Sequence, residues 1–283
     1  MAVQEISVEI EKQERKIVVH PSSVVAADVK LEEGVTIGPN CVVEKGSSIG
    51  RRTRLIANVY IGPNVIIGSG NQFYPGSSVG CPPQILGYGG QANYGGLQIG
   101  DNNVIREQAT IHPSMHAGHL TKVGNNNLIM VGVHIGHDCL IEDNLVMSNY
   151  VQISGHCKVE TGVWFSGVVL VHQFITIGKW CYAAGMAGIN HDIPPFVIVS
   201  GHYPPEIRGI NKRGLKRAGL TEEQQKNIYE AYKKLYRNNR PLLENARQLA
   251  AEDGLDENVR AMVDAILKSS GHRFGRYLET LRE

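Results

Sequence analysis

The chain has 283 residues, a formal net charge of +1 and five cysteines. A near-neutral balance excludes the strongly basic profile of a nucleic-acid binder. Cys41, Cys81, Cys139, Cys157 and Cys181 form no CxxC pair and read as reduced small hydrophobes in a cytoplasmic protein; no apolar run reaches about 18 residues, so no membrane span is expected.

In chain order, Met1 to Lys16 alternates charge with short aliphatics and lacks the apolar core of a signal peptide. Residues 1–19 are expected to be an N-terminal extension, a short strand or a loose segment. From 20 to 195 an apolar residue recurs at every sixth position. One series runs Val25, Leu31, Ile37, Val43, Ile49, Leu55, Ile61, Ile67, Phe73, Val79. It resumes at Ile99, Ile105 and Ile111, and again from Val123 through Ile129, Ile135, Ile141, Met147 and Ile153 to Ile189. Glycine often follows the apolar residue, as in Ile37-Gly38, Ile61-Gly62 and Ile135-Gly136. This period fits neither a helix face nor strand alternation. It is the pattern of a hexapeptide parallel β-helix. Each hexad gives one short strand and one turn, three hexads close a coil, and coils stack at about 4.8 Å. Spacing does not fix the hand; hexapeptide prisms as a class are left-handed, so a left-handed parallel β-helix is the expected fold.

Two stretches break the period, 81–96 and 112–122. Insertions in a solenoid map to surface loops, often on the binding face. The repeats end near Asp192-Ile193-Pro194-Pro195, and 196–283 reads as a linker and a helical C-terminal domain. There Thr221 and Gln224 make a capping box, and Ile228, Tyr232, Leu235 and Tyr236 share one face. A second helix is expected over 242–253, ending at Gly254. A third should follow Asp256 and carry Val259, Met262, Val263, Ile266 and Leu267. This segment is expected to cap the open end of the prism, as solenoid termini require.

The chemistry lies in the histidines. His112, His134, His137, His156 and His172 fall in the coils or at an insertion. His137 and His156 lie about one coil apart on nearly the same face. Asp138 follows His137 directly, and a carboxylate beside a histidine fixes its tautomer and stabilises the imidazolium, the arrangement of a general base. His116 and His119 read as surface residues. Zinc-binding hexapeptide prisms pair ligands as His-x4-His; no pair here has that spacing, and no metal is expected.

The run Asn127-Leu128-Ile129-Met130-Val131-Gly132-Val133-His134-Ile135-Gly136-His137-Asp138-Cys139 resembles the catalytic motif of the UDP-N-acetylglucosamine acyltransferases of lipid A synthesis. So do Ser154-Gly155-His156, Val171-His172-Gln173-Phe174, Asp192-Ile193-Pro194-Pro195 and Gly214-Leu215-Lys216-Arg217, in the family's order, and the resemblance covers about residues 19–283. It implies a homotrimeric enzyme that moves a 3-hydroxyacyl chain from acyl carrier protein to the 3-position of a UDP-amino sugar, without a cofactor. By the same resemblance His137 is the base, Asp138 orients it, and the Gly155 N–H is the oxyanion donor. Gln84, His134, His156, His172 and Gln173 match positions that contact the sugar, its diphosphate or the acyl group. Asn211 and Arg217 match nucleotide or phosphate contacts, and Gly185 matches the position that sets acyl length. The basic run Lys212, Arg213, Lys216 and Arg217 also suits acidic acyl carrier protein.

The chain departs from the family pattern at four places. Ile85 and Gly87 stand where the family has Asp and Lys, Arg213 replaces an acid, and Ala218 replaces an Arg. Lost polar contacts change which acceptor a pocket selects, so a related transferase with a different acceptor is the alternative, ahead of a catalytically silent scaffold.

Overall fold

The computed structural model describes residues 16–86 and 93–281. The chain divides into two compact units, one ending at Cys139 and one beginning at Leu140. Both are built from coils of a parallel β-helix, and the second adds the C-terminal helices.

In the N-terminal unit the apolar residue of each hexad is the last of a short strand, two residues long in most hexads. Ile37, Ile49, Leu55, Ile61, Phe73, Ile105, Ile111, Ile129 and Ile135 are all fully buried, so the six-residue period is the inward-facing wall of the prism. One of its three sheets stacks Val24–Val25, Val42–Val43, Tyr60–Ile61, Ser78–Val79, Thr110–Ile111 and His134–Ile135. The pairs Ser78↔Thr110 and Thr110↔His134 bridge the two insertions, so the coil resumes in phase after each. The insertions are shorter than the sequence indicates. Gly96–Ile99 and Leu120–Val123 are four-residue strands that pair with each other, from Gly96↔Leu120 to Ile99↔Val123. The N-terminal extension is shorter too, because Val18–Val19 already pairs with Thr36–Ile37.

Polar groups inside the turns are satisfied by a ladder of side chains. Asn71 Oδ1 accepts from the Asn103 backbone N–H at 2.8 Å and from Asn103 Nδ2 at 3.0 Å. Asn103 Oδ1 in turn accepts the Asn127 N–H at 2.9 Å. All three asparagines are buried, and each link removes an orphan donor that would otherwise be costly.

The C-terminal unit repeats the plan. Leu140–Ile141, Lys158–Val159 and Thr176–Ile177 form one wall, and Gln152–Ile153, Leu170–Val171 and Gly188–Ile189 another. The third wall holds Val146–Met147, Trp164–Phe165 and Tyr182–Ala183. It continues into Val197–Ser200, which is parallel to Tyr182–Ala183, and then Glu206–Ile210, which turns back antiparallel. The stretch expected as a linker therefore carries two strands. Tight turns need a residue with positive φ, and asparagine tolerates it best after glycine. The N-terminal unit uses Asn40, Asn58, Asn64, Asn102 and Asn126 there. The C-terminal unit keeps Asn144 there but also uses Tyr150, His156, Val168, Phe174, Trp180 and Met186, at about 1–2 kcal/mol per residue.

The helices span Lys212–Arg217, Glu222–Tyr236, Leu242–Ala250 and Glu257–Ser269. Thr221 and Gln224 form the expected capping box, and Asp256 caps the last helix through the N–H groups of Asn258 and Val259. The helix Leu242–Ala250 ends before the expected 253, because Ala251 and Glu252 turn tightly onto Gln248 and Leu249. Asp192 ties the C-terminal end to the coils: its carboxylate accepts the N–H of Thr176 at 2.8 Å and of Tyr277 at 2.9 Å. Cys41, Cys139, Cys157 and Cys181 are buried as free thiols. No helix among the described residues is long and apolar enough to cross a membrane.

Candidate active site

His137 and Asp138 occupy a turn of the N-terminal unit, with Asp138 in the left-handed conformation at φ 58°. This conformation folds the carboxylate back onto its neighbour. His137 Nδ1 lies 2.7 Å from Asp138 Oδ2, and both side chains are mostly buried. The carboxylate also accepts a short hydrogen bond from the Ser114 hydroxyl and the Met115 N–H at 3.2 Å. The Asp138 N–H donates to Thr121 Oγ1 at 2.7 Å. The second insertion thus clamps the carboxylate. Its residues Ser114 and Met115 do not stand out in the sequence, because an insertion has no period to read against; Thr121 lies in the strand Leu120–Val123.

With Asp138 on Nδ1, Nε2 is the nitrogen oriented for proton transfer. That is the tautomer a general base needs.

His134 sits one strand before this pair. Its Nδ1 lies 2.9 Å from the Thr110 hydroxyl, and its ring centroid is 5.2 Å from that of His112. Burial, with His112 and His137 nearby, pushes His134 down to about 4. His112 is buried, donates from Nδ1 to the Pro82 carbonyl at 2.9 Å, and is likewise lowered by burial. Both rings are neutral near pH 7 and offer hydrogen bonds rather than charge. A histidine protonated in the unfolded chain but neutral when folded costs stability as pH falls. Stability to denaturant should therefore decline from pH 6.5, the ordinary histidine value, toward 4. His134→Asn should flatten part of that decline, as urea midpoints across this range would show; an unchanged slope would contradict the assignment.

Gln84 is exposed at the edge of the first insertion, and Ile85 is half-buried. Gly87 lies outside the described residues.

In the C-terminal unit the Gly155 carbonyl accepts the Phe174 N–H at 3.2 Å, while its own N–H has no protein acceptor among the described residues. His156 and Phe174, both left-handed, stack with ring centroids 4.5 Å apart and planes 7° from parallel. The His172 carbonyl accepts the Cys157 thiol at 3.1 Å, and its Nδ1 lies 3.1 Å from the Gln173 carbonyl. Gln173 is exposed. Asn211 is engaged at both ends of its amide. Nδ2 donates to the Trp180 carbonyl at 2.8 Å, and Oδ1 accepts the Gly214 N–H at 3.1 Å. It holds the start of the Lys212–Arg217 helix. Arg217, at the end of that helix, lies over two indole rings. Gly185 is exposed, and a Cβ there would meet only ordinary contacts, the Gly167 carbonyl at 3.5 Å and Ser166 Oγ at 3.6 Å.

Residues 192–275 match the family model described as UDP N-acetylglucosamine O-acyltransferase, domain 2. A protein named acyl-[acyl-carrier-protein]–UDP-N-acetylglucosamine O-acyltransferase from Akkermansia muciniphila is 38% identical over 241 residues. That match covers 85% of this chain and 92% of the relative. A Synechocystis protein of the same name is 35% identical over 182 residues, and there the chain spans 65% of the relative's length. The solved UDP-N-acetylglucosamine acyltransferase of Francisella novicida superposes with a TM-score of 0.83 at 37% identity, covering 88% of this chain and 91% of that one. The Arabidopsis enzyme gives 0.81 at 30% identity, covering 90% and 98%. The six-residue period, the turn that joins His137 to Asp138 and these matches agree: the chain belongs to the UDP-N-acetylglucosamine O-acyltransferase family.

Proposed function

We propose that the protein transfers a 3-hydroxyacyl chain from acyl carrier protein to the 3-hydroxyl of UDP-N-acetylglucosamine. The observation that carries this reading is the His137–Asp138 pair, held by Ser114 and Met115 in a general-base tautomer. His137 Nε2 takes the proton as the sugar oxygen attacks the thioester carbonyl. The C–O bond forms, the carbonyl becomes an oxyanion, and the Gly155 N–H donates to it. Collapse breaks the C–S bond, and imidazolium returns the proton to the departing thiolate. Neutral His134, with Gln84, His156, His172 and Gln173, contacts the sugar, its diphosphate or the acyl group. The names of the relatives favour UDP-N-acetylglucosamine over the different acceptor suggested by Ile85, Arg213 and Ala218. The test is mass-spectrometric analysis of products from acyl carrier proteins of several chain lengths and a panel of nucleotide sugars. Acylation of another sugar in preference, or of none, would overturn the reading.

The working form is a homotrimer. Tyr150, Val168 and Met186 recur at one turn of successive coils, in the left-handed conformation, and are 54%, 45% and 73% exposed. Strained apolar side chains in water are explained by a second copy that covers them. Light scattering should give the mass of three chains; a fully active monomer would sink this part. The reaction is assigned to the cytoplasm, where free thiols persist, with cell fractionation as its check.

Gly185 sets acyl length. Its open surroundings admit a long chain, and a methionine there fits the backbone while occupying the path. Each CH₂ denied burial forfeits about 0.8 kcal/mol. Gly185→Met should shift preference toward shorter donors, by about ten-fold or more for a loss of two or three carbons. An unchanged preference in the same product assay would move the ruler elsewhere, to Tyr182 first.

A further inference from the structure

Arg217 has an unusual setting. Its guanidinium carbon lies 4.8 Å from the ring centroid of Trp164 and 5.7 Å from that of Trp180. No carboxylate pairs with it among the described residues, and partial burial lowers its pKa. Trp164 projects outward from the sheet, in register with Tyr182. Trp180 occupies a left-handed turn, φ 59°, where its ring lies flat on Gly162. A Cβ at Gly162 would come within 2.3 Å of that ring, so the glycine below is part of the platform. The backbone of Trp180 also fixes the helix that bears Arg217. Its carbonyl takes Asn211 Nδ2, and a Cβ at Gly214 would come within 2.8 Å of the same carbonyl.

These contacts place a planar cation against aromatic faces, its charge answered by no anion among the described residues. Arginine so held keeps its donor edge ready for two oxygens at once. From this geometry we propose that Trp164 and Trp180 are positioning residues that pre-organise Arg217 for the diphosphate of the acceptor. This rests on the acceptor reading above. The mechanism is entropic. A long flexible side chain that already lies in its bound geometry loses less freedom when the ligand arrives. The effect belongs to acceptor binding and leaves the acyl donor and the proton transfer untouched.

The chain contains only two tryptophans, and they are these two. Fluorescence excited where tryptophan but not tyrosine absorbs therefore reports on the two rings under Arg217 alone, without any turnover. Titration with UDP should change the emission, titration with uridine should not, and Arg217→Ala should abolish the UDP response. In steady-state kinetics Trp164→Leu should raise KM for UDP-N-acetylglucosamine about 2- to 30-fold, the range of a cation–π contact. Its kcat and its KM for acyl carrier protein should stay within about two-fold. Trp164→Phe, which keeps an aromatic face, should recover most of the loss. An Arg217-independent response to UDP, or Trp164→Leu with unchanged acceptor KM, would overturn the proposal. If no acyl transfer to the nucleotide sugar is found while the UDP response still requires Arg217, the reaction assignment fails and the anion clamp stands.

Discussion

His137→Ala is expected to lower kcat by about 10²–10⁴-fold, and further if no other group can take the proton. The fold should survive, because the imidazole lies outside the row of inward-facing apolar residues to which the buried Ile135 belongs. The check is turnover of acyl carrier protein thioester with UDP-N-acetylglucosamine, beside circular dichroism and an oligomer mass. Near-normal turnover in a folded His137→Ala protein would take the base role away from this residue.

Asp138→Asn should be nearly as damaging, for a different reason. Asparagine is well suited to the left-handed conformation at this turn, so the backbone and the bond from Ser114 should persist, while the Met115 N–H, which shares Oδ2 with His137, loses its acceptor. The amide, however, presents an N–H to His137 Nδ1 where the carboxylate presented a lone pair. The ring then carries its proton on Nε2, the atom that must accept one. The imidazolium also loses its counter-charge. We expect kcat to fall about 10²–10⁴-fold while KM for the acceptor changes little. Retention of more than about a tenth of wild-type kcat would show that Asp138 holds geometry without setting the tautomer.

The prism was legible in the sequence because its cause is one-dimensional: an inward residue every sixth position, with a turn between. The pairing of His137 with Asp138 was legible because the two are neighbours in the chain. Ser114 was not, since it reaches Asp138 from an insertion that obeys no repeat. The strands Val197–Ser200 and Glu206–Ile210 are not legible, because the second turns antiparallel and abandons the hexad. The left-handed turns at Tyr150, Val168, Trp180 and Met186 were also hidden. Propensity assigns such positions to glycine or asparagine, and only the stacked coils around them make bulky residues tolerable. The meeting of Arg217 with Trp164 and Trp180 joins three separate segments, and no local rule announces it.

The buried thiols have a practical consequence. Cys41 and Cys181 lie in different units. Burial raises both, Cys181 to about 12, so neither forms a thiolate in the closed structure and an alkylating reagent finds no nucleophile. In a solenoid each coil is held mainly by its two neighbours, so a coil that opens exposes its own sulfur before distant ones. Labelling rates at these positions therefore form a set of natural gauges. Each measures the opening free energy of one stretch of the stack, with no engineered probe.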